Sequence, residues 1–378
     1  NADTCQRVCG PTPAFFQTGA YAAQTTCFRN GIPLPTREKT LAHCFNEGGY
    51  ETGYIGKWHL AAHDCVGPVP KEQRGGYQNW LGTNLLEFVS DAYDCVLYDD
   101  DDEAVHLPGY RVDAMTDAAI RFATRPRENP FFLFFSLLEP HHQNHADDYP
   151  APDGMEVRYR DRWTPPDLAA LGGSSARHLA GYYAMVKRID DAYGRLRDAL
   201  KSRGLLENTI LLFTSDHGCH FKTRNAEYKR SCHESSVRLP AVFSGPGFDQ
   251  GRSLRPMVSL ADYAPTLLDA AGLPVPAAMT GDSIMPLIED PGSPWKASAF
   301  IQVSEAETGR AIRTQRWKYA VRAENHDIAR SRADAYAEAF LYDLDRDPYE
   351  LDNLAGLASH RAIADELKAE LLRWIERI

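Results

Sequence analysis

The sequence predicts an α/β fold, with helices around a mixed, mostly parallel sheet and a small antiparallel subdomain at the C-terminus. Two observations carry this. From Cys9 to about Asp290, strand-length apolar runs alternate with amphipathic helical stretches, as in a sheet covered on both faces. Around Pro291–Pro294 the composition shifts, and the residues beyond read as short antiparallel strands and one amphipathic helix. The expected organisation is a large unit over residues 1–290 and a subdomain over residues 291–378.

Taken in order, the strand candidates of the large unit are Glu51–Ile55, Phe131–Leu137, Thr209–Thr214 and Ala241–Ser244. The longest apolar run, Phe131 to Leu138, has the length of a strand and is far too short for a bilayer span. Residues 146–176 are rich in Pro, Gly and Asp and read as an excursion loop. The clearest helix comes next, over His178–Arg203. There Leu179, Tyr182, Tyr183, Val186, Ile189, Tyr193, Leu196 and Leu200 recur at helical spacing until Gly204 stops it. Ser259–Ala271 reads as a second helix, closed by Gly272 and Pro274. In the subdomain the expected strands are Ala299–Ser304, Gly309–Arg313, Trp317–Val321 and Ala339–Asp343, before a helix from about Arg361.

The 378 residues are 43% hydrophobic, enough for one large core and a smaller attached one. A formal net charge of −11 argues against a nucleic-acid partner. An anionic substrate would therefore need local positive charge from a metal and a few Lys, Arg and His. The eight cysteines lack the spacing of a zinc ribbon or redox pair and are too sparse for a disulfide scaffold. All but Cys9 are expected to be small buried hydrophobes. The chain opens at Asn1 without Met, and its compartment and oligomeric state are not readable from the sequence.

In an open parallel sheet, ligands gather beyond the carboxyl ends of the strands. Three strand candidates here run straight into titratable clusters: Gly56-Lys57-Trp58-His59, Glu139-Pro140-His141-His142-Gln143-Asn144, and Ser215-Asp216-His217-Gly218. Each cluster alone has a bland explanation: a snorkelling Lys beside a core His, loop histidines bonding backbone, a capping Asp beside a surface His. Three on one edge argue for a site. Lys57 and His59 alternate across Trp58, so both can face an anion while the Trp packs behind. His141 or His142 suits protonation of a leaving group or metal binding; for His142 and His145 a structural role is as good an account. Asp216-His217 offers an oxygen and a nitrogen ligand side by side. The run Asp99–Glu103 is better read as a solvated acidic loop than as a calcium site, because its acids lack spacing glycines. Cys9 precedes a Pro-containing helix start, which would stabilise its thiolate.

The ordered set Cys9-Gly10-Pro11-Thr12, Thr18-Gly19, Gly48-Gly49-Tyr50-Glu51-Thr52, Gly56-Lys57-Trp58-His59-Leu60, Pro140-His141, Ser215-Asp216-His217-Gly218 and Lys229 ahead of Glu234 resembles the sulfatases of the alkaline phosphatase superfamily. So do Gly309-Arg310, Trp317-Lys318-Tyr319, Leu341-Tyr342-Asp343-Leu344 and Asp347-Pro348-Tyr349-Glu350, which match that family's small subdomain. The resemblance implies an alkaline-phosphatase-like sandwich that hydrolyses sulfate monoesters, on a carbohydrate by preference. It implies that Cys9 matures to formylglycine, whose hydrate attacks sulfur and then expels sulfate by collapsing to the aldehyde. It implies a divalent metal, calcium before magnesium, held by Asp216, His217 and the residue at Cys9. Lys57 and Lys229 would neutralise sulfate oxygens, His59 would contact the formylglycine, and His141 would assist the leaving oxygen.

Two departures qualify the resemblance. The family completes its metal shell with paired aspartates on a first strand ahead of its cysteine, and no such strand precedes Cys9 here, so weak metal binding and slow hydrolysis are expected of residues 1–378 alone. The family also carries Arg where this chain has Pro13, which puts the conversion of Cys9 at issue. Two other readings stand beside the first: a phosphonate or phosphate ester hydrolase of the same superfamily, and an inactive relative that binds sulfated glycans. The loops at 64–110 and 146–176 are expected to shape substrate choice.

Overall fold

The computed structural model describes residues 2–6, 8–62 and 64–378; Asn1, where the sequence opens, lies outside them. Its strands in chain order are β1 (Ala2–Asp3), β2 (Glu51–Lys57), β3 (Asn79–Thr83), β4 (Cys95–Tyr98), β5 (Ala104–Leu107), β6 (Phe131–Ser136) and β7 (Leu211–Thr214). Beyond these come β8 (Ala241–Ser244), β9 (Val258–Ser259), β10 (Ser298–Val303), β11 (Gly309–Thr314), β12 (Trp317–Ala323) and β13 (Tyr336–Asp343).

The largest sheet is mixed, in the order β5-β4-β3-β2-β6. It is parallel at its centre, where β2 pairs with β3 and β6, and antiparallel at its flank through the β4–β5 hairpin. Strand β2 runs beyond the predicted Ile55 to Lys57 because Gly56 takes φ 117 and presses against β6; a Cβ there would lie 1.9 Å from the Ser136 carbonyl oxygen. Behind β2, Tyr54 stacks on Trp80 at 4.9 Å and on Phe134 at 5.5 Å, with Trp58 edge-on and fully buried. The acidic run Asp99–Glu103 is the turn of the β4–β5 hairpin, where Asp100 accepts the Trp80 amide at 2.9 Å.

Strands β7 and β8 form a separate antiparallel pair. Among the described residues, β6 and β7 each keep one edge without a strand partner, and both line one cleft of about 1570 Å³. Their apolar side chains are accordingly only half-buried. The predicted long helix spans Ser175–Ser202 and docks on the Arg111–Thr124 helix, with Arg188 and Arg195 both on Asp113 at 2.5 and 3.3 Å. The predicted Ser259–Ala271 helix opens with a tight turn over Leu260–Asp262 and is α-helical over Tyr263–Ala270, with Ser259 and Asp262 forming a capping box. Loop 146–176 holds the short helices Glu156–Tyr159 and Pro166–Ala170, and its last two residues open the long helix.

The C-terminal sheet is fully antiparallel, in the order β10-β11-β12-β13. The helix Arg361–Arg377 covers it through Ala364, Leu367 and Leu371, one helical face. Its core is continuous with the large unit, since Phe15, Tyr21, Tyr263, Phe300 and Ile312 belong to one cluster. The first residues thread between the two units: β1 pairs with β9, and Gln6 bridges to Gln302. This path delivers Cys9 to the mouth of the cleft. All eight cysteines are free thiols, with Cys65 and Cys219 half-buried and the others buried. No described helix is long and apolar enough to cross a membrane.

Candidate active site

Each cluster read from the sequence sits where its strand ends. Lys57 is the last residue of β2, His141 comes after β6, and Asp216 and His217 come after β7. Cys9 stands just ahead of the Pro11–Thr18 helix, buried, with Lys229 Nζ in direct contact with its sulfur. His141 Nε2 and His217 Nε2 each lie 3.9 Å from Sγ. Segments that are 132 to 220 residues from Cys9 in sequence thus meet at one sulfur atom.

The surroundings determine charge. Burial alone would raise the Cys9 thiol, but Lys229, then Lys57, with His141 and His217, hold it well below its usual value. Burial pulls Lys57 down, yet Glu87 and Cys9 outweigh it and keep the ammonium charged. Glu87 Oε1 accepts from Lys57 Nζ at 2.8 Å, and despite burial Lys57 holds that carboxylate down to about 2. His59 is buried and pushed down to about 4 by burial and by Lys57, so its ring is neutral at pH 7. His141 is lowered by burial and by Lys229. Its Nδ1 faces the His142 carbonyl at 2.7 Å, which assigns the proton to Nδ1 and leaves Nε2 facing Tyr228 Oη at 2.9 Å and Lys229 Nζ at 3.3 Å.

A metal-capable group is present. The donor atoms of Cys9, Asp216 and His217 lie within 4.8 Å of one another, and no other such group occurs among the described residues. His217 Nδ1 faces the Gly218 carbonyl at 2.9 Å, which leaves Nε2 for the site.

Other predicted candidates fall outside. The His142 ring packs on Tyr228 at 4.1 Å, and burial pushes its pKa down to about 3. His145 is exposed beside Asp91. Glu139 forms a fully buried pair with Arg111 at 2.8 Å and belongs to the scaffold. Sequence reasoning missed Glu87 and Tyr228. A signal for Glu87 exists: it is a lone acid inside Leu85-Leu86-Glu87-Phe88-Val89, where a carboxylate needs a buried partner. For Tyr228 nothing beyond adjacency to Lys229 points to the site.

A family model described as Sulfatase matches residues 1–273, and one described as N-sulphoglucosamine sulphohydrolase, C-terminal, matches residues 226–377. An ulvan-active sulfatase of Formosa agariphila is 29% identical over 98% of this chain and 72% of its own length. Arylsulfatase K of Canis lupus familiaris is 33% identical over 94% of this chain and 71% of its own. Among solved structures, the putative sulfatase yidJ of Bacteroides fragilis superposes with a TM-score of 0.84 at 22% identity, covering 100% of this chain and 87% of that one. A structure in complex with its substrate D-glucosamine-2-N,6-O-disulfate superposes at 0.77, with 22% identity over 100% of this chain and 89% of that one.

Proposed function

The chain belongs to the sulfatase family, and from that premise we propose that it hydrolyses sulfate monoesters on a carbohydrate with a formylglycine made from Cys9. The observation that carries this is the convergence of Lys229, His141 and His217 on the Cys9 sulfur, which stands in for the oxygen of the matured residue, with Lys57 near enough to lower the thiol. The carbohydrate class follows the relatives, which include an ulvan-active sulfatase and a protein bound to a sulfated glucosamine.

Lys57 and Lys229 supply charge to the sulfate oxygens, each locked in place, Lys57 by Glu87 and Lys229 by burial. His141 protonates the leaving oxygen through Nε2, the ring atom that faces the nucleophile, after that atom takes a proton from the Lys229 ammonium 3.3 Å away. His59 contacts the matured Cys9 as a neutral ring. The donor set of one carboxylate, one imidazole and the Cys9 position suits part of a divalent cation's shell, and the family resemblance favours calcium, with magnesium the alternative. Such a cation supplies Lewis-acid charge to a sulfate oxygen. The partnerless edges of β6 and β7 support placing in their cleft the strand that the family pattern calls for, and the separate four-stranded sheet from Ser298 supports a boundary near residue 290.

Two measurements test the reading. Mass spectrometry of the peptide containing Cys9 is expected to show formylglycine in protein matured by the source cell. Turnover of an aryl sulfate is expected to exceed that of a phosphonate monoester; the reverse order would select the phosphonate hydrolase reading, whose fold is represented by the phosphonate monoester hydrolase of Agrobacterium radiobacter at a TM-score of 0.73.

A further inference from the structure

Cys9 and Lys229 are each one residue away from a group tied to a single carboxylate. The amide of Gly10 donates to Asn30 Oδ1 at 2.9 Å, which fixes the turn carrying Cys9. Asn30 in turn donates its own amide to Glu305 Oε1 at 2.6 Å. The other oxygen of the same carboxylate, Oε2, takes Arg230 Nη2 at 2.5 Å, and Arg230 directly follows Lys229. Glu305 lies just after β10 in the C-terminal subdomain, with its side chain only 10% exposed. Its backbone is held at φ 69, a left-handed conformation unusual for a residue with a Cβ, and His326 Nε2 meets its carbonyl oxygen at 3.0 Å. One buried anion therefore joins the nucleophile turn to the Lys229 loop, and it comes from outside both.

We propose that Glu305 is a positioning residue that sets the separation of Cys9 and Lys229, so that the subdomain acts on the reaction through one side chain. This rests on the sulfatase reading of the site. A carboxylate shared by two segments transmits position well: Arg230 also pairs with Glu227 at 2.8 Å, but that partner lies on its own loop and does not tie it to the Cys9 turn, as Glu305 does. Gln in place of Glu305 keeps an acceptor for Asn30 and loses the anion for Arg230, whereas Ala loses both.

The test is a double-mutant cycle on aryl sulfate turnover. Glu305→Ala is expected to lower kcat about tenfold with KM changed less than about threefold, since displacement of a catalytic group by about an ångström costs up to ~10²-fold. Glu305→Gln falls between Ala and the parent, and it keeps the test open should the Ala protein fail to fold. In a Lys229→Ala background Glu305→Gln, which keeps the acceptor for Asn30, is expected to have no further effect, because what it loses acts only through Lys229. A role in folding alone would depress both backgrounds equally. Arg230→Gln, which breaks the bridge from its other end, is expected to match Glu305→Gln, and the double variant to be no worse than either. Unchanged kcat in Glu305→Ala and Arg230→Gln, or equal losses in both backgrounds, overturns the proposal. Undiminished turnover in Lys229→Ala overturns the sulfatase reading of the site and the proposal with it.

Discussion

Lys57 shows how a single side chain is prepared for its task. An ammonium buried at the end of β2 would shed its proton, yet Glu87 at 2.8 Å and the Cys9 thiolate keep it charged. Removing the counter-charge with Glu87→Gln leaves a buried cation half-compensated, which should cost about 2–4 kcal/mol of stability and depress turnover at least about tenfold. The folded pKa of Glu87 is depressed from 4.5 to about 2, so its contribution is full above pH 4.5 and is lost as pH falls toward 2. Urea unfolding of parent and variant should therefore differ by a constant amount from pH 8 to 5 and converge below pH 4.5. A gap undiminished at pH 2.5 would refute the assignment. Lys57, His141, Asp216, His217 and Lys229 were readable because each comes after a strand or lies in a family motif. Glu87 carries only the hint of a lone acid in an apolar run, and its role is not legible there because its partner is 30 residues away in sequence and meets it only through the tertiary fold.

At the scale of elements, apolar runs located the strands but not their neighbours. Phe131–Leu137 and Ala241–Ser244 match β6 and β8 closely, since a bounded apolar run is a local signal. Pairing is not local: nothing in the residues of Thr209–Thr214 reveals that β7 pairs with β8 and leaves β6 across a cleft. The β4–β5 hairpin was also illegible, because its strands are only four residues each and the acids between them carry no strand signal. Gly56 is the element-level hinge of the site. Its φ of 117 and the 1.9 Å approach to Ser136 leave no room for a side chain, and it precedes Lys57 directly. Gly56→Ala should destabilise by at least about 2 kcal/mol through strain and a β2–β6 separation that carries Lys57 with it. The urea midpoint would read the first effect, and loss of turnover in the fraction that stays folded would read the second. A variant with unchanged midpoint would show that β6 yields freely.

For the whole molecule the joint between the two units is an ionic cluster with one anion too many. Lys318 Nζ sits between Glu234 and Glu350 at 2.6 Å each, and Arg313 binds Glu234 at 3.1 Å. Those cations hold Glu234 down to about 2, despite burial. Asp3, on β1, is left 3.7 Å from Arg313 with neither carboxylate oxygen hydrogen-bonded among the described residues. Burial, then Glu234, pushes its carboxyl up from 3.8 to about 7. The folded chain therefore keeps a proton on Asp3 that the unfolded chain releases, and stability falls as pH rises from 3.8 to about 7 and is level above it. At 1.36 kcal/mol per pKa unit the ceiling of that loss is on the order of 4 kcal/mol, and relaxation of the cluster will reduce it. Asp3→Asn removes the titration while keeping the shape. The variant should match the parent near pH 4 and exceed it by about 1–3 kcal/mol at pH 8, where the parent must bury a carboxylate that no hydrogen bond satisfies. Urea unfolding at pH 4, 6 and 8 measures the difference. Parallel profiles for the two proteins would mean that Asp3 ionises without penalty, and the account of the joint as over-supplied with carboxylates would fail.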